Sequence, residues 1–193
     1  MPEHILDNNF HQKTRHFIKK NLRNFFVLSI ILILALFSYI FYKDLKKKNE
    51  IQVSEQYTQA SIYFKEKKTD IAKELLENII NKNHKFYSPL ALYFIIDNKL
   101  ETDPLKIIIL FDKILSISSI DQENLNLIKI KKTIFLFSFE DEQLIIKTLN
   151  PIINSDSVWR NMAIKLISDY FLSKDQKKKA DEYIQLLDNK IKK

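Results

Sequence analysis

Not one of the 193 residues is glycine. Only glycine adopts positive φ at little steric cost, so two-residue β-hairpins, phosphate-cradling loops and dinucleotide-binding turns are all disfavoured. The four prolines are also few. A helical fold with short polar turns fits such a chain best. Hydrophobic residues make up 46% of the sequence, enough for a packed core. The absence of cysteine excludes disulfides, thiolate metal sites and cysteine nucleophiles.

The formal charge is +7. A basic balance can point to nucleic acid or anionic lipid. Lys, Ile, Asn and Phe are enriched along the whole chain, however, and that pattern reads as compositional bias.

One stretch carries no charge at all, Phe25 to Tyr42. As a helix it spans about 27 Å, close to the roughly 30 Å hydrocarbon layer of a bilayer. Thirteen of its residues are Phe, Leu, Ile or Val. On an insertion scale they contribute roughly −4 to −8 kcal/mol together. Ser29 and Ser38 can bond back to helix carbonyls, and Tyr39 and Tyr42 stand where an aromatic interface belt belongs. The run is long for a signal-peptide core, and no small-residue cleavage site follows it. It therefore reads as an uncleaved signal-anchor. Lys13, Arg15, Lys19, Lys20 and Arg23 precede it, and Lys43, Lys46, Lys47 and Lys48 follow. That charge balance and the short N-terminal side predict a cytoplasmic N-terminus and a translocated C-terminal domain. The expected organisation is a basic tail over 1–24, a membrane segment over 25–42 and a helical domain over 43–193.

Beyond Lys43, apolar residues recur three or four apart between polar breaks. Ser88-Pro89 and Asp103-Pro104 look like N-caps followed by proline at the first helical position. Ser119 with Gln122, and Ser173 with Gln176, have capping-box spacing. These signals predict eight helices, near Leu45–Lys67, Asp70–Asn81, Pro89–Asn98, Pro104–Ile117, Ile120–Phe137, Asp141–Ile153, Ser157–Leu172 and Asp175–Lys190. Asn150-Pro151 is expected to kink or end the sixth, and nothing between Tyr42 and Gln56 separates the first from the membrane helix. The second helix of each successive pair opens near Asp70, Asp103, Asp141 and Asp175, at intervals of 33, 38 and 34 residues. About 34 residues is the length of a tetratricopeptide helix pair, and stacked pairs form a continuous core with a concave face. The alternative is a plain helical bundle. The fold class read from the chain is therefore all-α, an N-terminal transmembrane helix followed by a tetratricopeptide-like domain of about four helix pairs.

This layout resembles the tetratricopeptide-like ancillary subunits of the bacterial SecYEG translocon. The resemblance rests on Lys19-Lys20-Asn21-Leu22-Arg23, on the span Phe25–Tyr42, on Gln56-Tyr57-x-x-Ala60 with Asp70-Ile71-Ala72-Lys73-Glu74-Leu75-Leu76, and on Ser88-Pro89-Leu90-Ala91-Leu92. Tetratricopeptide repeats carry a glycine where paired helices approach closely. Here Ala60, Ala91 and Ala163 are expected to supply those small contacts. The resemblance implies a bacterial inner-membrane, single-pass scaffold without catalysis. Its partners would be the translocon, secreted chains or periplasmic chaperones.

The residues themselves offer little chemistry. His4, His11 and His16 are spaced by seven and five, not by the three or four that put two ligands on one helical face. His84 falls in a turn. Asp141-Glu142 and Asp181-Glu182 read as solvated helix faces, and a nucleophile elbow would need glycine. No catalytic, cofactor or metal residue is assigned, and neither nucleic acid nor a small-molecule substrate is expected. Lys177-Lys178-Lys179 reads as a solvated face. Lys19, Lys20, Arg23, Tyr39, Tyr42, Lys46, Lys47 and Lys48 are the expected membrane-interface residues, the lysines snorkelling to headgroups. In stacked helix pairs the first helices line the groove. Tyr57, Tyr63, Tyr87 and Tyr93 lie on or near them and are candidates for partner contact. Trp159 and Arg160, a pairing enriched at interfaces, are another candidate. For each of these the competing role is core packing. The function classes weighed are a membrane-anchored polypeptide-binding module, then a structural or assembly subunit of another membrane complex, and last an enzyme or nucleic-acid binder, which a pocket with converging acids would favour.

Overall fold

The computed structural model describes residues 21–139 and 141–187. They form an all-α fold of eight helices with no strand among the described residues. In order these are α1 (Leu22–Lys65), α2 (Thr69–Asn81), α3 (Tyr87–Asp97), α4 (Pro104–Leu115), α5 (Gln122–Leu136), α6 (Glu142–Ile153), α7 (Arg160–Ser173) and α8 (Lys177–Ile184). Short 3₁₀ turns follow α5 at Phe137–Phe139 and α8 at Gln185–Leu187. The chain divides into two compact units, Met1–Gln52 and Val53–Lys193.

In the first unit, every side chain from 26 to 52 is exposed. The mean hydropathy of its apolar stretch reaches 2.2, and α1 is long and apolar enough to cross a membrane. The helix continues past the charge-free run, as the lack of any breaker there allowed. Lys48 and Asp44 pair at 2.8 Å on its exposed face, one turn apart. Arg23, Tyr39, Tyr42, Lys46 and Lys47 are likewise exposed. Lys19 and Lys20, with His4, His11 and His16, lie outside the described residues.

The second unit begins where α1 becomes amphipathic. Val53 and Ala60 are fully buried. Successive helices from α2 to α8 pack on one another, and α2 also reaches α4. The buried side chains form two clusters. One runs from Val53 to Ile128 and gathers α1 to α5; the other runs from Ile130 to Ala180 and gathers α5 to α8. Helix α5 belongs to both. Ala60, Ala91 and Ala163 are all fully buried, on α1, α3 and α7.

Helix ends show how the chain manages without glycine. Lys67, Lys99 and Asp175 take φ of 61°, 51° and 56° just past α1, α3 and α7. After each, an N–H reaches back five residues: Lys68 to Tyr63, Leu100 to Ile95 and Gln176 to Phe171. These are Schellman ends built on residues that bear a steric cost in the left-handed region. Asn83, with φ of 53°, ends α2.

Several helix starts differ from the sequence expectation. Asp103 caps α4 as expected, accepting from the Leu105 N–H with Pro104 at the first position, and Asp141 caps α6. Ser88 is not a cap. It is buried in the first turn of α3, accepting from the His84 N–H and donating to the Ile79 carbonyl. The His84 ring Nδ1 instead accepts from the N–H groups of Phe86 and Tyr87. Asp121, not Ser119, caps α5 through the Asn124 N–H. Asp175 lies in the left-handed turn before α8, whose start has no side-chain cap. Pro151 sits in the last turn of α6, where its missing N–H costs the helix only one bond before it ends at Ile153.

Candidate functional site

An open groove runs between α3 and α5. On α3, the side chains of Pro89, Leu90, Tyr93, Ile96 and Asp97 recur at helical spacing along one face. On α5, Asn124, Leu127, Lys131 and Ile134 do the same. Two cavities lie in the groove, of about 310 and 250 Å³. Tyr93 is a wall of both, so its ring divides the groove into two compartments. Phe111 of α4 closes the floor of the larger one and Ile128 that of the smaller, both almost fully buried. Exposed Ile134 (54%) and Phe86 (58%) form apolar rims.

Tyr93 is half-buried, and burial pushes its phenol up to about 12, so it stays neutral at any physiological pH. Its ring carries the Lys131 ammonium at 4.6 Å from the centroid. Such a contact holds a cation over an aromatic face. Lys131 is paired with no carboxylate among the described residues, and neither is Lys85 at the rim of the smaller cavity.

Neighbouring contacts set this geometry. Lys132, next to Lys131, is buried, and its Nζ donates to Asp112 Oδ1 on α4 at 2.6 Å. That tie fixes the rotation of α5 about its axis and leaves Lys131 facing the groove. At the start of α5, buried Asn126 donates to Ser157 Oγ at 3.0 Å, and Ser157 donates to Glu123 at 2.7 Å. Gln122 donates to Asn126 in turn. The network fastens the N-terminal end of α5 to the turn that precedes α7. On the other side, Glu101 is buried, accepts from Lys73 Nζ at 2.8 Å and from the N–H groups of Thr102 and Asp103, and its carboxyl is lowered to about 2. The Lys73 bond contributes most to that shift, with the backbone N–H groups adding to it. Glu101 thereby anchors the turn between α3 and α4.

The sequence candidates fall in three places. Tyr93 is in the groove. Tyr57 and Tyr87 meet at 5.8 Å between centroids, and Tyr57 also meets Phe94 edge-on, so both form the seam between α1 and α3. Burial, then Asp97, raises the Tyr57 phenol. Tyr63 lies farther along α1 with Lys68 5.5 Å above its ring. Trp159 packs against the second core cluster. Arg160 donates to the carbonyls of Ile153 and Leu186, tying the end of α6 to the 3₁₀ turn that follows α8. Sequence reasoning missed Lys131, Leu127 and Ile134 as groove residues. It also missed Lys132, whose burial is hidden in a run of lysines. Among the described residues no group of three or more His, Asp or Glu could hold a metal ion.

Compared with protein-family models, curated proteins and solved structures, the chain matches none of them.

Proposed function

We propose that this protein is a membrane-anchored interaction module, non-enzymatic, whose helical domain binds polypeptide in the groove between α3 and α5. The observation that carries the reading is the groove itself, a two-compartment apolar channel with one cation over its dividing tyrosine. Clefts of this size with few polar groups suit side-chain capture, and Tyr is a residue enriched at binding hot spots. The exposed apolar face of α1 supports anchoring, since water would otherwise meet an uninterrupted hydrocarbon surface. The helix spacing and the buried alanines on α1, α3 and α7 support a tetratricopeptide-like stacking of pairs. The role that fits is that of an ancillary subunit of the Sec translocon, with the N-terminus cytoplasmic and the helical domain periplasmic in a bacterial inner membrane. Its clients would be translocating chains or periplasmic chaperones.

A second reading has its own observation. Leu105 and Ile109 stand one turn apart on α4, 71% and 64% exposed, away from the groove lining. A fixed partner covering them would make the protein a structural or assembly subunit of another inner-membrane complex.

In-cell photo-crosslinking of the full-length protein, with the probe replacing Tyr93 in the groove or Leu105 on the exposed face of α4, separates the two. Adducts with translocon subunits or secreted chains are the expected result. Adducts with one other membrane complex alone favour the second reading, and adducts with cytoplasmic proteins overturn the orientation.

A further inference from the structure

We infer that the occupant of the α3–α5 groove is an apolar polypeptide segment carrying an acidic side chain, its carboxylate seated on Lys131 between two large apolar side chains. This rests on the polypeptide-binding reading and narrows it to a class of sequence. The charge of the groove carries the argument. Lys131 is exposed, held above the Tyr93 ring at 4.6 Å, and has no carboxylate partner among the described residues. Lys85, with no carboxylate partner among the described residues, adds a second cation at the edge of the smaller cavity. Among the described residues the only acid lining either cavity is Asp97, in the larger one. A carboxylate arriving between the compartments would meet an ammonium already fixed in direction by the ring beneath it. It would make a charge-assisted hydrogen bond in a partly desolvated cleft. The cavities on either side of Tyr93 then accept the flanking apolar side chains.

The same charges argue against one other occupant. A second copy docking by the same face would set two surfaces that each carry Lys131 and Lys85 against one another.

The test uses the full-length protein in nanodiscs of neutral lipid and labelled nonapeptides, acetylated and amidated, with Phe and Leu flanking a central Glu. Matched peptides carry Gln or Lys at the centre. Fluorescence anisotropy reads affinity, and circular dichroism checks that each variant is folded. The Glu peptides are expected to bind about tenfold or more tightly than the Gln peptides, with a preference that shrinks in high salt. Lys131→Glu is expected to reverse the order in favour of the Lys peptides. Equal binding of Glu and Gln peptides, blocked by Ile134→Asp, would overturn carboxylate recognition while leaving polypeptide binding in the groove intact. A Glu preference that survives Lys131→Glu would place the acid-binding site elsewhere and overturn the inference. Failure of every peptide to bind would overturn both the inference and the binding reading.

Discussion

At the scale of single residues, the chain substitutes for glycine at a cost. Lys99 holds φ at 51° in the Schellman end of α3. A non-glycine residue there bears roughly 1–2 kcal/mol of strain, partly offset by the lower entropy of its unfolded state. Lys99→Gly is therefore expected to raise stability by about 0.5–1 kcal/mol, read as a higher midpoint in thermal unfolding. Lys85→Gly, in a turn without that geometry, should not do so. Glu101 gives a pH signature. Its folded carboxyl is lowered from 4.5 to about 2, so its stabilisation is present above pH 4.5 and is lost as pH falls through about 2. Glu101→Gln should be less stable than the parent at neutral pH, and the gap should close between pH 4.5 and 2 in denaturant titrations. An unchanged gap across that window would remove Glu101 from the account. Residue roles were the least legible part of the sequence. Ser88-Pro89 has the spelling of an N-cap, yet Ser88 is a core residue bridging two backbones, because His84 had already taken the capping role. Ser119 lost to Asp121 for a similar reason: a turn with several capable side chains does not announce which one caps.

At the scale of elements, periodicity and helix punctuation were read well. The predicted Asp70–Asn81 is α2 to within a residue at its start, and Asp141–Ile153 is α6 with its cap. Asp103-Pro104 opened α4 as written. These agree because the first turn of a helix has unsatisfied N–H groups that only a few residue types can serve. What holds consecutive elements together was not written in the periodicity. The Ser88 hydroxyl joins the end of α2 to the start of α3 from a fully buried position. Ser88→Ala should cost about 1–3 kcal/mol, since it removes the donor to the buried Ile79 carbonyl and the acceptor of the half-buried His84 N–H. A loss below about 0.5 kcal/mol in urea unfolding would mean that water or a local shift replaces these bonds. The groove is a product of elements too. The place of Tyr93 on a first helix marks it in the sequence, but nothing there marks its partners on α5. Leu127 and Ile134 look like ordinary core periodicity, and only the separation of α3 from α5 leaves them lining a cleft.

At the scale of the whole molecule, the chain joins an apolar helix to a helical domain with a charged, two-compartment groove. A helix long and apolar enough to cross a membrane was legible because a charge-free run of that length, apolar on every side, suits hydrocarbon far better than the surface of a water-soluble domain. Its role can be removed without touching the domain. Leu32→Lys combined with Leu36→Lys adds roughly 2.5–3.5 kcal/mol of insertion cost per lysine and forfeits two leucines. The double variant should be released by alkaline carbonate while the parent stays in the membrane pellet. Retention of the double variant would show that something other than this helix holds the protein there. The central claim, that the α3–α5 groove is the working surface, is tested most directly by comparing in-cell photo-crosslinking yields at Ile134, on the groove rim, and at Ile109, on the exposed face of α4. The account predicts polypeptide adducts concentrated at Ile134 and reduced by Lys131→Glu. Adducts concentrated at Ile109 and indifferent to Lys131 would contradict it and make the α4 face the site of partnership.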